Sequence, residues 1–423
     1  MSSLVSGFSK LNKQEKINWL VANFLKENVN ANEILSLYWN TDKQLQQLHD
    51  DFIENTVSNY YMPFGIAPNF VINNKVYTIP MAIEESSVVA AASLVAKFWS
   101  DKGGFKAKVI NTEKVGQVHF MFEGDKHTLQ DYFIVKKQEL ILVTDNITKN
   151  MRKRGGGILE IELRDKTLEL ENYYQLHVTF ETKDSMGANF INSCLETIAK
   201  EFKKDGINIV MSILSNYVPN CLVKAEVSCS VDKLHPTNGK LFADKMVQAV
   251  AIANVEPHRA VTHNKGIMNG IDAVVIATGN DFRAIEAGVH AYAAKSGTYK
   301  SLTSCKVENE IFTFSIEVPL ALGTVGGLTS THPLSKLSLE MLDNPNAKEL
   351  MQIIAVAGLA QNYAALRALT TTGIQEGHMK MHLVNILNQL EANEQEKEEV
   401  TKQLIGKVVS YSGVAETLKK IRA

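Results

Sequence analysis

The chain has 423 residues, of which 45% are apolar and 21% charged, and its formal net charge is −2. That length exceeds one ordinary core and predicts two or three domains. The balanced charge offers no basic surface for nucleic acid and no acidic bias toward disorder. Cys194, Cys221, Cys229 and Cys305 include no Cys-x-x-Cys pair. They fit neither a zinc site nor a disulfide framework, and they read as free thiols of a cytoplasmic protein. Residues 1–10 lack an apolar signal core. The longest uncharged runs, 318–335 and 350–366, carry Gly, Pro and Thr or Gln and Asn, so no membrane span is expected.

Residues 11–50 read as polar helices, and 51–68 as irregular chain broken by two prolines and a glycine. A strand over 70–77 with an Asn73-Asn74 turn follows. Pro80-Met-Ala-Ile-Glu84-Glu85-Ser-Ser87 then opens a small-residue helix, 88–99. From about Val115, strand patterns at 118–123, 158–163, 174–181 and 208–214 alternate with helical ones at 129–142 and 189–202. The order β-α-β-β-α-β suits a ferredoxin-like unit, and 112–218 reads as an inserted domain. Within it, Asp184-Ser-Met186-Gly187-Ala188-Asn189 leads into a helix, where small residues and free amides can hold a phosphate. Arg152-Lys153-Arg154 before Gly155-Gly-Gly157 is a second such neighbourhood. Gly323-Thr-Val-Gly-Gly327 reads as a flexible loop, 349–369 as a long buried helix, and 383–423 as a small helical unit after a glycine-bracketed His378.

The densest chemistry lies in Glu256-Pro-His-Arg259-Ala-Val-Thr-His263-Asn-Lys265-Gly-Ile-Met-Asn269-Gly. Lys265 reads as a lysine on a glycine-punctuated loop. The β-branched run 273–277 reads as a buried strand, with Asp281 at its tip. On that reading Lys265 and Asp281 meet across the loop, and the carboxylate keeps the ammonium charged and aimed at an oxyanion developing on a carbonyl. A surface salt bridge is the plainer alternative. Glu84-Glu85 before the alanine-rich helix points a carboxylate into a tight site or favours the helix dipole. His378 and His382 share a helix spacing, but Met379 stands where a zinc protease needs glutamate. No metal is expected.

Taken together and in order, these motifs make the chain resemble the 3-hydroxy-3-methylglutaryl-coenzyme A reductases, and within them the class II form. The resemblance spans nearly the whole chain. It implies an α/β (α+β) fold with a large substrate and coenzyme A domain (1–111 and 219–375), an inserted NAD(P)-binding domain (112–218) and a C-terminal flap (376–423). The implied reaction reduces hydroxymethylglutaryl-CoA to mevalonate and free CoA with two reduced nicotinamides. The implied assembly is a homodimer, or a higher oligomer of dimers, with shared active sites. By resemblance, Lys265 stabilises the oxyanion, Asp281 tunes it, Glu85 supplies a proton and His378 protonates the CoA thiolate. Glu54, Ser87, Asn216, Arg259 and Asn269 match substrate-binding positions. Asp184, Met186, Gly187, Ala188 and Asn189 match the dinucleotide turn.

The sequence also departs from the family pattern. Ser86 replaces a proline after Glu85, and Glu54-Asn-Thr-Val-Ser58 ends without the usual glycine. Thr148 occupies the count at which NADH-preferring members carry aspartate, which favours NADPH, with NADH possible. Two other readings stay open: a coenzyme A-binding protein without chemistry, and a reductase run backwards on mevalonate.

Overall fold

The structure is a computed structural model that describes residues 4–371, 383–404 and 409–422. The chain divides into two compact units, Met1–Pro63 and Phe64–Ala423. The first carries α1 (Lys13–Phe24), α2 (Ala31–Leu37) and α3 (Lys43–Asp50). Asn12 starts α1 through a capping box. Its side chain accepts from Glu15 N at 3.0 Å, while the Glu15 carboxylate accepts from Asn12 N at 2.8 Å. Asp42 caps α3, and Lys13 pairs with Asp50 across the two helices at 2.8 Å.

The second unit opens with a hairpin, β1 (Phe64–Ile72) and β2 (Lys75–Ala82). Asn73 and Asn74 turn it, both left-handed, with φ of 49° and 68°. The expected 70–77 strand is therefore the tip of a longer hairpin. Pro68 is tolerated in β1 because the register breaks between Ala67 and Phe70. Helix α4 (Val88–Ser100) and strand β3 (Lys106–Val109) follow.

Next come β4 (Lys114–Met121), α5 (Lys126–Leu142), α6 (Asp145–Lys153), β5 (Gly157–Asp165), β6 (Tyr173–Glu181), α7 (Ala188–Lys204) and β7 (Asn208–Ser215). Their antiparallel sheet runs β5-β6-β4-β7, so β6 lies between the two strands joined by the first crossover. This is the ferredoxin-like order, with α6 as an addition the sequence pattern did not predict. Its own core packs Val118, Phe120, Leu176 and Phe180 with Leu195, Ile198 and Phe202.

The chain then forms β8 (Leu222–Ser230), α8 (Gly239–Val255), α9 (Pro257–Ala277), α10 (Phe282–Ala293), β9 (Thr303–Glu308), β10 (Ile311–Pro319), α11 (Leu328–Thr331), α12 (Pro333–Met341) and α13 (Ala347–Thr370). A second antiparallel sheet runs β3-β8-β10-β9. Trp99, Phe312, Phe314 and Tyr363 fill the larger core beside it. The tail contributes helical residues 383–389, then Glu394–Gln403 and Tyr411–Arg422, around Leu387, Val400, Val414 and Leu418.

One expectation fails here. Residues 273–277 are not a strand, and Lys265 is not on a loop; both belong to the 21-residue helix α9. Glu256 caps this helix, accepting from Arg259 N, and Pro257 stands at its first position. Its buried residues recur at 260, 263, 264, 267, 268, 271, 274 and 275, the period of a helix face. The glycines serve packing. A Cβ on Gly270 would sit 2.4 Å from the Ala357 carbonyl of α13, and one on Gly358 would sit 2.8 Å from Ile271. Each glycine lets the other helix approach.

Candidate active site

Helix α9 presents Lys265 and Asn269, one turn apart, on its exposed face. Glu85, in the turn between β2 and α4, reaches both. Its Oε2 accepts from Lys265 Nζ at 2.5 Å and from Asn269 Nδ2 at 3.3 Å. The Lys265 and Glu85 side chains are 58% and 36% exposed, so the pair stays open to a ligand. Ser87 follows in a left-handed conformation, φ 75°, and its side chain makes no capping hydrogen bond to α4. A non-glycine residue held there stores strain beside the pair. Arg259, half-buried, lies near the start of α9, and burial lowers its guanidinium from the ordinary value.

The other side of α9 is locked. His263 is 1% exposed, and its Nε2 meets Thr303 Oγ1 at 2.6 Å and Ser301 Oγ at 2.9 Å. Asn264 holds Lys300 O and Leu302 N. Asn362 of α13 donates to His263 O. These residues surround Lys265 in sequence but aim it from behind.

A second polar region lies beyond the C-terminus of α9. From Lys265 to Ala277 the helix rises about 18 Å, and Asp281 comes after the following turn. Within one chain the two do not meet, contrary to the expectation of a contact across a loop. Asp281 instead caps α10, accepting from Arg283 N at 3.0 Å and Ala284 N at 3.2 Å, and pairs with the Arg283 guanidinium at 3.1 Å. It lines a cleft of about 520 Å³ together with Ser185, Met186, Gly187, Ala188, Asn189 and the 325–329 loop. Gly187 has φ 92°, and a Cβ there would lie 2.6 Å from Thr182. The first turn of α7 thus begins at the cleft with backbone N–H groups that have no helical acceptor.

The turn is fixed from three sides. Lys114, buried, donates from Nζ to Thr182 Oγ1 at 2.7 Å and Ser185 O at 3.5 Å, and burial pushes its ammonium below the ordinary value. Gly323 passes so close that a Cβ would meet Met186 N at 2.5 Å. The Asp184 carboxylate accepts from Ala347 N at 2.9 Å, at the start of α13. Asp184 is thus a joint to the larger body, and the cleft wall begins at Ser185. Sequence reading noted the 323–327 glycines but missed their contact with this turn, and it missed Lys114. A lone lysine in an apolar strand was the available signal.

The remaining expected residues scatter. Thr148 is 3% exposed, and its hydroxyl donates to Thr144 O within the helix. It is not among the residues that line the cleft at the Gly187 turn. Asn216 is exposed, and its carbonyl packs on Gly288 of α10, where a Cβ would lie 2.6 Å away. Glu54 is exposed in the first unit. His378 and His382 lie outside the described residues.

A model of the hydroxymethylglutaryl-coenzyme A reductase family matches residues 14–383. The chain belongs to the hydroxymethylglutaryl-coenzyme A reductase family. The 3-hydroxy-3-methylglutaryl-coenzyme A reductase of Archaeoglobus fulgidus is 37% identical over 430 residues, covering 100% of this chain and 96% of that protein. Two solved Streptococcus pneumoniae structures are similar at 34% identity. The 3-hydroxy-3-methylglutaryl-coenzyme A reductase has a TM-score of 0.75, covering 99% of this chain and 100% of that one. The class II enzyme bound to NADPH in open conformations has a TM-score of 0.74, covering 95% and 100%. As a hydroxymethylglutaryl-coenzyme A reductase the chain is an oxidoreductase, with the mixed α/β fold of the class II structures. Among the described residues no helix is long and apolar enough to cross a membrane.

Proposed function

We propose that the chain reduces hydroxymethylglutaryl-CoA to mevalonate and free CoA in the cytoplasm, and that each catalytic centre is completed by two protomers. The observation that carries this reading is the Glu85–Lys265–Asn269 cluster. Lys265 is the cation for the oxyanion that forms when the thioester carbonyl accepts hydride. Glu85, hydrogen-bonded to Lys265, orients it and relays the proton that neutralises the oxygen. Asn269 fixes the Glu85 carboxylate and, with Ser87 and Arg259, frames the acyl group. Collapse of the resulting hemithioacetal breaks the C–S bond. His378 then protonates the departing thiolate, and Lys265 serves the aldehyde in the same way during the second reduction.

The cleft at the Gly187 turn fits a dinucleotide. Its glycine admits a ligand to the backbone, and the amides at the start of α7 suit a pyrophosphate. A bound reduced nicotinamide supplies the hydride. Asp281 lines that cleft, while Lys265 lies about 18 Å of helix away. A two-fold dimer reconciles them, since each centre can take Glu85, Lys265 and Asn269 from one protomer and Asp281 with the turn from its partner. NADPH is the favoured cofactor. Gly156 packs against Glu181 O, which sets the basic end of α6 (Arg152, Lys153, Arg154) beside Lys183 and the strand leading into the turn.

The test is an absorbance assay with hydroxymethylglutaryl-CoA. About two reduced nicotinamides should be oxidised per thioester consumed, as the two-step reduction requires. A mixture of Lys265→Ala and Asp281→Ala protomers, each inactive alone, should regain about a quarter of wild-type activity, because hybrid dimers are half the population and keep one intact centre. No recovery would exclude the shared centre.

A further inference from the structure

The row of β4 that faces α7 reads Lys114, Gly116, Val118 and Phe120. A Cβ on Gly116 would meet Leu195 and Ile191 of that helix. The cross-strand partners on β6 are Phe180, Val178, Leu176 and Tyr174, all part of the unit's core. Lys114 is the one charge in this row, and it is 4% exposed. A buried ammonium is costly unless a carboxylate pairs with it. Among the described residues Lys114 makes no such pair. Its Nζ donates to Thr182 Oγ1 at 2.7 Å and lies 3.5 Å from Ser185 O. Burial holds the ammonium below its ordinary value. A cavity of about 10 Å³ borders the side chain, lined mostly by apolar residues, Ile191, Leu214 and Val218 among them. Packing alone gives no reason for a lysine here, since an apolar side chain would continue the row.

The use of this charge lies at the turn. Thr182, itself 1% exposed, donates onward from Oγ1 to Ser185 O at 2.6 Å, so ammonium, hydroxyl and carbonyl form one chain. Hydrogen bonds in such a chain polarise one another in a low-dielectric interior. The Ser185 carbonyl shares its peptide with the Met186 N–H, and in a trans peptide the two point in opposite directions. With the carbonyl drawn toward the Lys114–Thr182 chain, the Met186 N–H points away from it, and Met186 and Gly187 line the cleft. We propose that Lys114 is a positioning residue for the dinucleotide: through Thr182 it fixes and polarises the Ser185–Met186 peptide, and its buried charge draws the pyrophosphate to the start of α7. Lys114 is not itself among the residues that line the cleft, so it acts through the turn. That role rests on the cofactor reading of the cleft given above. The pyrophosphate is common to NADPH and NADH, so Lys114 serves both dinucleotides alike.

Fluorescence titration of the full-length protein with NADPH and with NADH tests this. Lys114→Met keeps an unbranched side chain and removes the charge. Its Kd should rise by on the order of 10-fold for both dinucleotides, while KM for the thioester stays within about 2-fold. Its melting temperature should equal or exceed that of the wild type, because an unpaired buried charge is gone. A merely structural lysine would behave in the opposite way, with a lower melting temperature and an unchanged Kd, and that result would overturn the proposal. Thr182 supplies a check that survives a misfolded Lys114→Met. Thr182→Ser keeps the hydroxyl and should bind NADPH as the wild type does. Thr182→Val breaks the chain and should weaken NADPH as Lys114→Met does. Equal affinities in these two variants would also overturn the proposal. Asn189→Asp separates this role from the reading beneath it. It places a carboxylate on the exposed first turn of α7, where the helix dipole favours it and a pyrophosphate is repelled. If NADPH binds Asn189→Asp as tightly as the wild type, the cofactor reading of the cleft fails, whatever Lys114 does.

Discussion

Glu85 and Lys265 lie 180 residues apart in sequence and touch at 2.5 Å. The contact is made by two rigid elements, the end of the β1–β2 hairpin and the exposed face of α9, and neither side chain is buried. A pair so exposed adds little to stability. Its loss should therefore be felt in turnover. Lys265→Ala should lower kcat by on the order of 10²-fold or more, with a smaller change in KM and an unchanged melting temperature. An unchanged kcat would leave the lysine without a role in the chemistry.

The two glycines that follow this lysine in α9 separate packing from propensity. Gly266 has only ordinary contacts at 3.9 Å, to Ala365 and Asn362, whereas a Cβ on Gly270 would meet the Ala357 carbonyl at 2.4 Å. Gly266→Ala should stabilise the fold by about 0.5–1 kcal/mol through helix propensity. Gly270→Ala should destabilise it by roughly 1–3 kcal/mol, since α13 must move. Denaturant titration of both variants measures the difference. Equal effects would remove the close crossing of α9 and α13.

That pair also explains where the sequence misled. Glycines at 266 and 270 with a β-branched run at 273–277 imitate a loop followed by a strand. The tertiary demand for a close helix crossing overrode local propensity, and only the buried spacing from 260 to 275 betrays the helix. The ferredoxin-like unit was legible because its strands and helices change period cleanly and no such crossing interferes. Glu85, Lys265 and Asn269 were legible as chemical types. The distance from Lys265 to Asp281 was not, because it depends on whether residues 266–277 are helix or loop and strand. Thr148 was chosen by counting alone, and counting carries no information on which side of α6 it faces.

Acid stability should report the locked side of α9. Burial first, then Arg259, pushes the His263 imidazole down to about 3. The folded chain holds it neutral, while the unfolded chain protonates it near the ordinary value of about 6.5. Its contribution is therefore fully present above about 6.5 and is lost as pH falls toward about 3. His263→Gln should cost about 1–3 kcal/mol at neutral pH, because Thr303 and Ser301 lose a well-placed partner. The gap from wild type should narrow as the solution is acidified. Unfolding free energies at a series of pH values decide it, and a constant gap would mean that His263 does not stay neutral in the fold.

On the proposed reading, cofactor choice is set from the side of α6 that faces solvent. Thr148 is buried and bonded to Thr144 O. Thr148→Asp would bury a carboxylate against an apolar core and should destabilise the ferredoxin-like unit before it alters specificity. On the proposed cofactor site, the exposed Lys153 and the half-exposed Lys183, which precedes the Gly187 turn, are cations that a 2′-phosphate would meet. The double variant Lys153→Glu, Lys183→Glu replaces two cations by two anions. It should lower kcat/KM for NADPH by on the order of 10-fold and leave NADH within about 2-fold, because only NADPH carries the extra charge. Equal losses with both dinucleotides would assign these lysines to the shared pyrophosphate. No loss with either would move the specificity determinant elsewhere on the unit.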